Sequence, residues 1–78
     1  MNKDKYNKVF FQVFEAKLEE LDGLKYKGIY LWDSVGQISL ISALEKEFNI
    51  TINPEDIRGL NSYLKGLEIL NNKYNIQF

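Results

Sequence analysis

The chain has 78 residues, so we expect one domain, residues 1–78, with a small core. It contains no cysteine and no histidine, which excludes disulfides, a thiolate nucleophile, a Ser-His relay and a Cys/His zinc site. Ten basic and 11 acidic residues give a formal net charge of −1, which argues against a nucleic-acid-binding protein with a broad basic face.

The first predicted element is a helix from about residue 3 or 4 to about Leu21. Its apolar residues recur at spacings of three and four, which indicates one buried face made of Tyr6, Val9, Phe10, Val13, Phe14 and Leu18. Asp22 and Gly23 are expected to end this helix, with the glycine in the left-handed C-terminal position. The loop from there to Trp32 is too apolar for a free linker, so we expect it, and Trp32 above all, to pack onto the helices.

A second helix is predicted from about Ser34 to Phe48. At about 100° per residue its buried face carries Leu40, Ile41, Leu44 and Phe48. Val35 is expected to be exposed, and Ile38 at least partly so. Ser34 and Gln37 have the spacing of a capping box, in which each side chain satisfies a backbone N–H. Asp33 is an alternative N-cap residue, and the sequence leaves both possibilities open.

Two more helices complete the pattern. Asn53 as N-cap and Pro54 at the first helical position predict a short third helix that stops near Gly59. A last helix is predicted from about Ser62, with one face formed by Leu60, Leu64, Leu67 and Leu70. Gly66 inside it costs about 1 kcal/mol relative to alanine, which a close helix crossing would explain. The polar tail after Leu70 is left unassigned.

The fold class expected from this pattern is all-α, a small bundle of three longer helices and one short helix with a long first loop. This layout resembles that of acyl carrier proteins over most of the chain, and in detail from about residue 31 to 70. The resemblance is carried by Asp33-Ser34 before a branched apolar residue, by the closing segment 45–50 of the second helix, and by the Pro54–Ile57 turn. The motifs are weak singly and specific as an ordered set.

The resemblance implies that Ser34 carries a 4′-phosphopantetheine arm, donated by coenzyme A, on which an acyl or aminoacyl group is held as a thioester. It implies a carrier rather than an enzyme. Its partners would be a phosphopantetheinyl transferase and an acyl- or aminoacyl-activating ligase or acyltransferase. The helix N-terminus suits a phosphodiester, because free backbone N–H groups and the positive end of the dipole lie there.

Partner docking is predicted at the start of the second helix, on Asp33, Val35, Ile38 and Glu45. From residue 33 to 60, two bases against five acids give a charge of 2 − 5 = −3, which favours a basic partner. Gly36 and Ser39 stand where fatty-acid carriers tend to have acids, so docking should be weak and only partly electrostatic. This pattern resembles a discrete carrier of a specialised pathway or the D-alanyl carrier group.

The competing hypothesis is a helical interaction module with the same fold, in which Ser34 is never modified and acts only as a cap. No metal site is predicted, because the Asp-x-Asp-x-Asp-Gly loop of calcium sites is missing. No apolar run approaches the roughly 20 residues of a membrane span, and no signal-peptide core is recognisable. We therefore expect a cytoplasmic protein that has no membrane span and does not bind nucleic acid, and we expect it to be a monomer.

Overall fold

The computed structural model describes residues 1–78 as four α-helices and one 3₁₀ helix. The α-helices are α1 (Asn2–Phe14), α2 (Ser34–Phe48), α3 (Pro54–Gly59) and α4 (Tyr63–Tyr74), and the 3₁₀ helix (Leu18–Gly23) lies between α1 and α2. The predicted all-α bundle with a long first loop is confirmed, and α2 has its predicted bounds. None of the helices has the length and apolar character that a membrane span requires.

The first helix ends earlier than predicted. Glu15 adopts the left-handed conformation (φ 55°, ψ 32°) directly after Phe14, and a separate 3₁₀ helix follows. Gly23 is not left-handed, because no glycine in the chain has a positive φ. The prediction of one helix to Leu21 with a left-handed glycine at its end is therefore wrong.

Burial explains the early end of α1. Leu18, predicted to be in the core, is 68% exposed, and Val13 is only partly buried. The turn after Phe14 instead brings Leu21 and Leu24 into the core. Burying two leucines outweighs the small preference for continuing a helix across this segment.

The core is built around the aromatic face of α1. The ring of Phe14 stacks on that of Trp32 at 4.8 Å between centroids. Phe10 meets Trp32 at 5.7 Å and Tyr63 at 5.2 Å, both edge to face. Trp32 is fully buried, so the loop before α2 packs onto the helices as predicted, through this residue.

The buried face of α4 differs from the prediction at two positions, since Leu67 is only partly buried and Leu64 is exposed. Leu64 is 55% exposed, whereas Tyr63, Ile69 and Leu70 are buried. The buried row of α4 at spacings of three and four runs through Tyr63, Gly66 and Leu70.

Gly66 lies where α4 approaches α1, as its position in the sequence suggested. The Tyr6 hydroxyl donates a hydrogen bond to the Tyr63 carbonyl (2.7 Å) in the space beside Gly66. A Cβ atom at Gly66 would overlap this hydroxyl and lie 3.3 Å from Leu60 Cδ2. Burial, and secondarily the neighbouring Tyr63, raise the pKa of Tyr6, so its hydroxyl stays a donor.

The tail that the sequence left unassigned belongs to the fold. α4 continues to Tyr74, and Asn75 ends it in the left-handed conformation. The Ile76 side chain is buried, and its backbone N–H donates to the Leu70 carbonyl at 3.2 Å. The ring of Phe78 then lies 5.4 Å from that of Tyr6.

Asp56 fastens α3 to α4. Asn53 caps α3 as predicted, accepting from the Asp56 N–H at 3.0 Å. The buried Asp56 carboxylate accepts from Lys73 Nζ (2.8 Å) and from the Tyr74 hydroxyl (2.7 Å). The hydrogen bond from Lys73, then that from Tyr74, lower the pKa of Asp56 because both favour the charged form.

This network predicts a loss of stability in acid. The lowered folded pKa of Asp56 lies below the unfolded value of about 3.9. Its contribution is therefore present above that value and lost as pH falls through the folded pKa. Urea unfolding at a series of pH values should show wild type losing stability more steeply below about pH 5 than Asp56→Asn. Glu55→Gln, at the exposed neighbouring acid, should behave like wild type. Identical pH dependence in wild type and Asp56→Asn would contradict this role.

A double-mutant cycle tests the crossing at Gly66. Gly66→Ala should cost about 1–3 kcal/mol from overpacking, although alanine gains about 1 kcal/mol in helix propensity. Tyr6→Phe removes the overlapping hydroxyl, so the double variant should lose less than the sum of the two single losses. Gly59→Ala is the control, because a Cβ there meets only Ile69 Cδ1 at 3.7 Å. Strictly additive losses would mean that the two positions do not touch.

Candidate functional site

The start of α2 is capped by Asp33, not by Ser34. Asp33 has an extended backbone (φ −111°, ψ −162°), and its Oδ1 accepts from the Gly36 N–H at 2.9 Å. Ser34 is the first residue of the helix and lies after the N-cap, so its hydroxyl caps no backbone N–H. Its side chain is exposed. The expected capping box of Ser34 and Gln37 is wrong, and the alternative N-cap Asp33 is correct. The serine hydroxyl is therefore free for another use.

Gln37 instead joins three parts of the chain. Its Oε1 accepts from the Trp32 indole N–H at 2.7 Å. Its Nε2 donates to the carbonyl oxygens of Ile57 and Leu60, each at 2.9 Å. The loop, the first turn of α2 and the end of α3 are thereby held together around Ser34. Sequence reasoning missed this role, because the spacing of Gln37 from Ser34 matched a local cap equally well.

Gly36 is required by the path of the loop. A Cβ atom at this buried position would overlap the Leu31 carbonyl oxygen and lie 3.1 Å from Phe14 Cε1. The residue therefore cannot carry a side chain to the surface. This packing explains why position 36 has a glycine and not the acid that fatty-acid carriers tend to have there. Ser39 is exposed, so no such packing restricts that position.

A groove opens beside the Ser34 hydroxyl. Its volume is about 310 Å³, and it lies between the loop, α2 and α3, lined by Tyr26, Ser34, Gln37, Ile57, Arg58, Leu60 and Asn61. The Ser34 Oγ lies 3.2 Å from the Tyr26 hydroxyl oxygen at this groove. An exposed serine hydroxyl with no capping role, next to an open groove, fits the attachment of a flexible prosthetic group.

Neither Tyr26 nor Arg58 was singled out as a site residue from the sequence. Tyr26 reaches Ser34 through the folding of the loop, where its N–H donates to the Asn61 carbonyl at 2.9 Å. Such a contact joins residues 35 positions apart and has no periodic signal. Only the apolar content of the loop indicated that it packs onto the helices.

Exposed apolar side chains lie at the α2 N-terminus outside the groove beside Ser34. Val35 is 70% and Ile38 68% exposed, as predicted. Tyr30 and Leu31 in the loop are also exposed, and with Val35 they border one shallow depression. We call Tyr30, Leu31, Val35 and Ile38 the apolar patch. It was predicted from the sequence only for its two helical members.

The acids assigned to docking have partners within the chain. Asp33 caps α2, as described above. The half-buried Glu45 accepts from the Ile52 N–H at 2.8 Å, so it stabilises the connector before α3. Glu47 forms an ion pair with Lys8 of α1 at 3.1 Å. Of these three acids, only Glu47 has its charge compensated by a cation, while one carboxylate oxygen of Asp33 and one of Glu45 are each engaged by a backbone N–H.

Comparison with known proteins agrees with the fold. An acyl carrier protein of Buchnera aphidicola subsp. Schizaphis graminum (strain Sg) is 33% identical over 70 residues, which are 88% of this chain and 89% of the relative. No family model and no solved structure matches the chain. The likeness extends over nearly the full length of both proteins. The chain belongs to the acyl carrier protein family.

Proposed function

We propose that this carrier holds an acyl or aminoacyl group as a thioester on a 4′-phosphopantetheine arm attached to Ser34. The observation that carries the proposal is the Ser34 hydroxyl, exposed and free of capping because Asp33 takes that role. The chain has no cysteine, so the thiol of the thioester has to come from the arm. The first-turn N–H groups of α2 favour a phosphodiester at this position.

Attachment requires only an accessible hydroxyl from this chain. The Ser34 Oγ–P bond forms as the pyrophosphate bond of coenzyme A breaks, and adenosine 3′,5′-bisphosphate leaves. The hydroxyl proton passes to a base of the phosphopantetheinyl transferase. Since partner enzymes supply the reacting groups, no catalytic residue is assigned to this chain.

The transferase and an acyl- or aminoacyl-activating ligase or acyltransferase are the proposed partners. We place their docking at the start of α2, on Asp33, Val35 and Ile38, with Glu45 at the edge. Because Glu45 and Glu47 bond within the chain, the apolar patch has to supply a larger share of the binding than charge does. A small and mainly apolar contact suits a carrier that must release each partner.

Gly36 supports a discrete carrier of a specialised pathway, including one of the D-alanyl type. The backbone of the loop occupies the space that a side chain at position 36 would need. The proposed docking face therefore cannot have an acidic residue at this position. We further propose that the protein acts as a monomer in the cytoplasm. The alternative function is an unmodified interaction module, which the first experiment below separates from a carrier.

Intact mass tests the attachment at Ser34. After incubation with coenzyme A and a broad-specificity transferase, wild type should gain the mass of one phosphopantetheine group, and Ser34→Ala should gain nothing. Ser39→Ala, at another exposed serine of α2, is the control and should gain it as well. Wild type that gains no mass with any transferase would leave the interaction module as the function.

Stability measurements separate the serine from the cap. Ser34→Ala should change the free energy of unfolding by no more than about 0.5 kcal/mol, because the residue is exposed and does not cap α2. Asp33→Ala should cost about 0.5–2 kcal/mol through the lost N-cap. Urea unfolding of both variants makes the comparison. A larger loss in Ser34→Ala than in Asp33→Ala would contradict the assignment of the cap.

Loading kinetics test the docking face. Ile38→Ala should leave stability within about 0.5 kcal/mol of wild type. It should lower kcat/KM of the transferase about tenfold, which corresponds to about 1.4 kcal/mol of lost contact. Leu64→Ala, at an exposed leucine of α4, is the matched control and should load normally. Raising the salt concentration should slow loading less than Ile38→Ala does. Strong salt dependence with normal loading of Ile38→Ala would mean that charge governs docking.

A further inference from the structure

We propose that Tyr26 is a positioning residue for the arm on Ser34. Its hydroxyl holds the Ser34 hydroxyl before attachment and donates a hydrogen bond to a phosphodiester oxygen afterwards. This inference rests on the proposed function of Ser34. It adds a residue from the loop, outside α2 and outside the apolar patch.

The two hydroxyl groups are already in contact. The Tyr26 and Ser34 oxygens lie 3.2 Å apart, with either atom able to donate. This is the one side-chain hydrogen bond that either residue makes. Tyr26 is half-buried, with its ring packed against the core and its hydroxyl at the groove. The hydroxyl is thus not needed to satisfy any buried group.

The backbone on both sides of Tyr26 is fixed. Its own N–H donates to the Asn61 carbonyl at 2.9 Å, and the Tyr63 N–H donates to the Leu24 carbonyl at 3.0 Å. On the other side, the Lys27 N–H donates to the carbonyl of the buried Trp32 at 2.7 Å. The loop therefore sets the position of the hydroxyl relative to Ser34 before any partner binds.

Attachment changes the chemistry of this contact. Once esterified, Ser34 Oγ has no proton, so Tyr26 becomes the only donor of the pair. The acceptor is then a phosphodiester with a negative charge. Hydrogen bonds to charged acceptors are roughly twice as strong as neutral ones. The contact should therefore strengthen on loading and direct the arm along the groove.

The charges around the groove favour this arrangement. Arg58 lines the groove, and Lys27 Nζ lies 5.6 Å from the centre of the Tyr26 ring. Neither cation takes part in an ion pair within the chain. The carboxylate of Asp33, next to Ser34, directs its Oδ1 to the Gly36 N–H.

Tyr26→Phe tests the proposal, because it removes only the hydroxyl. Thr51→Val is the control, since it removes an exposed hydroxyl that makes no hydrogen bond and lies in the connector after α2, outside the proposed docking face. The full chain is loaded from coenzyme A by the transferase, and the ³¹P NMR shift of its phosphodiester is compared with that of the same sample in urea. Wild type and Thr51→Val should show a displaced resonance, and the resonance of Tyr26→Phe should move toward the unfolded value.

The melting temperature gives a second readout that does not depend on activity. Loading should raise Tm in wild type and Thr51→Val, and the rise should be smaller in Tyr26→Phe by roughly 4–8 °C. A difference of about 1 kcal/mol produces that shift in a domain of this size. Tyr26→Leu, which lacks the ring as well, should give the same ³¹P shift as Tyr26→Phe, so that the hydroxyl is identified as the cause.

The outcomes distinguish this inference from the function on which it rests. If wild type gains no mass, the proposed function of Ser34 fails first. If all variants load but Tyr26→Phe and Tyr26→Leu keep the wild-type ³¹P shift and the full rise in Tm, the positioning role of Tyr26 is overturned and the carrier function stands.

Discussion

The hydrogen bond from the Trp32 indole to Gln37 is the contact on which the rest of the site depends. A fully buried indole N–H without an acceptor would cost about 1–3 kcal/mol. Gln37 accepts it, which fixes its amide so that Nε2 faces the carbonyls of Ile57 and Leu60. One side chain thus joins the loop, α2 and the end of α3. The groove beside Ser34 is the space that this junction leaves open.

Structural and recognition roles compete for the same few side chains in a chain of this size. Asp33 caps a helix, Glu45 holds a connector and Glu47 joins α2 to α1. Gly36 has no side chain because the loop backbone packs directly against it. The side chains of the α2 N-terminus that take no structural role, Val35 and Ile38, are exposed and apolar.

Much of the fold followed from local rules. The bounds of α2 and the cap of α3 depend on neighbouring residues, and the exposure of Val35 follows from periodicity. The errors have long-range causes: α1 stops where a turn buries Leu21 and Leu24, which no local pattern reveals. The cap was ambiguous because Asp33 and Ser34 are both good N-cap residues. Tyr26 meets Ser34 only through the folded loop, so this part of the site required the structure.

The position of Trp32 allows its intrinsic fluorescence to report on the junction of the loop, α2 and α3. It is the single tryptophan, it is buried, and its indole N–H bonds to the residue that joins the loop to α2 and α3. Its fluorescence can therefore be followed without any label. Emission that moves to longer wavelength would mark water reaching the indole as this junction opens. Emission that stays constant while a partner binds would identify the junction as rigid.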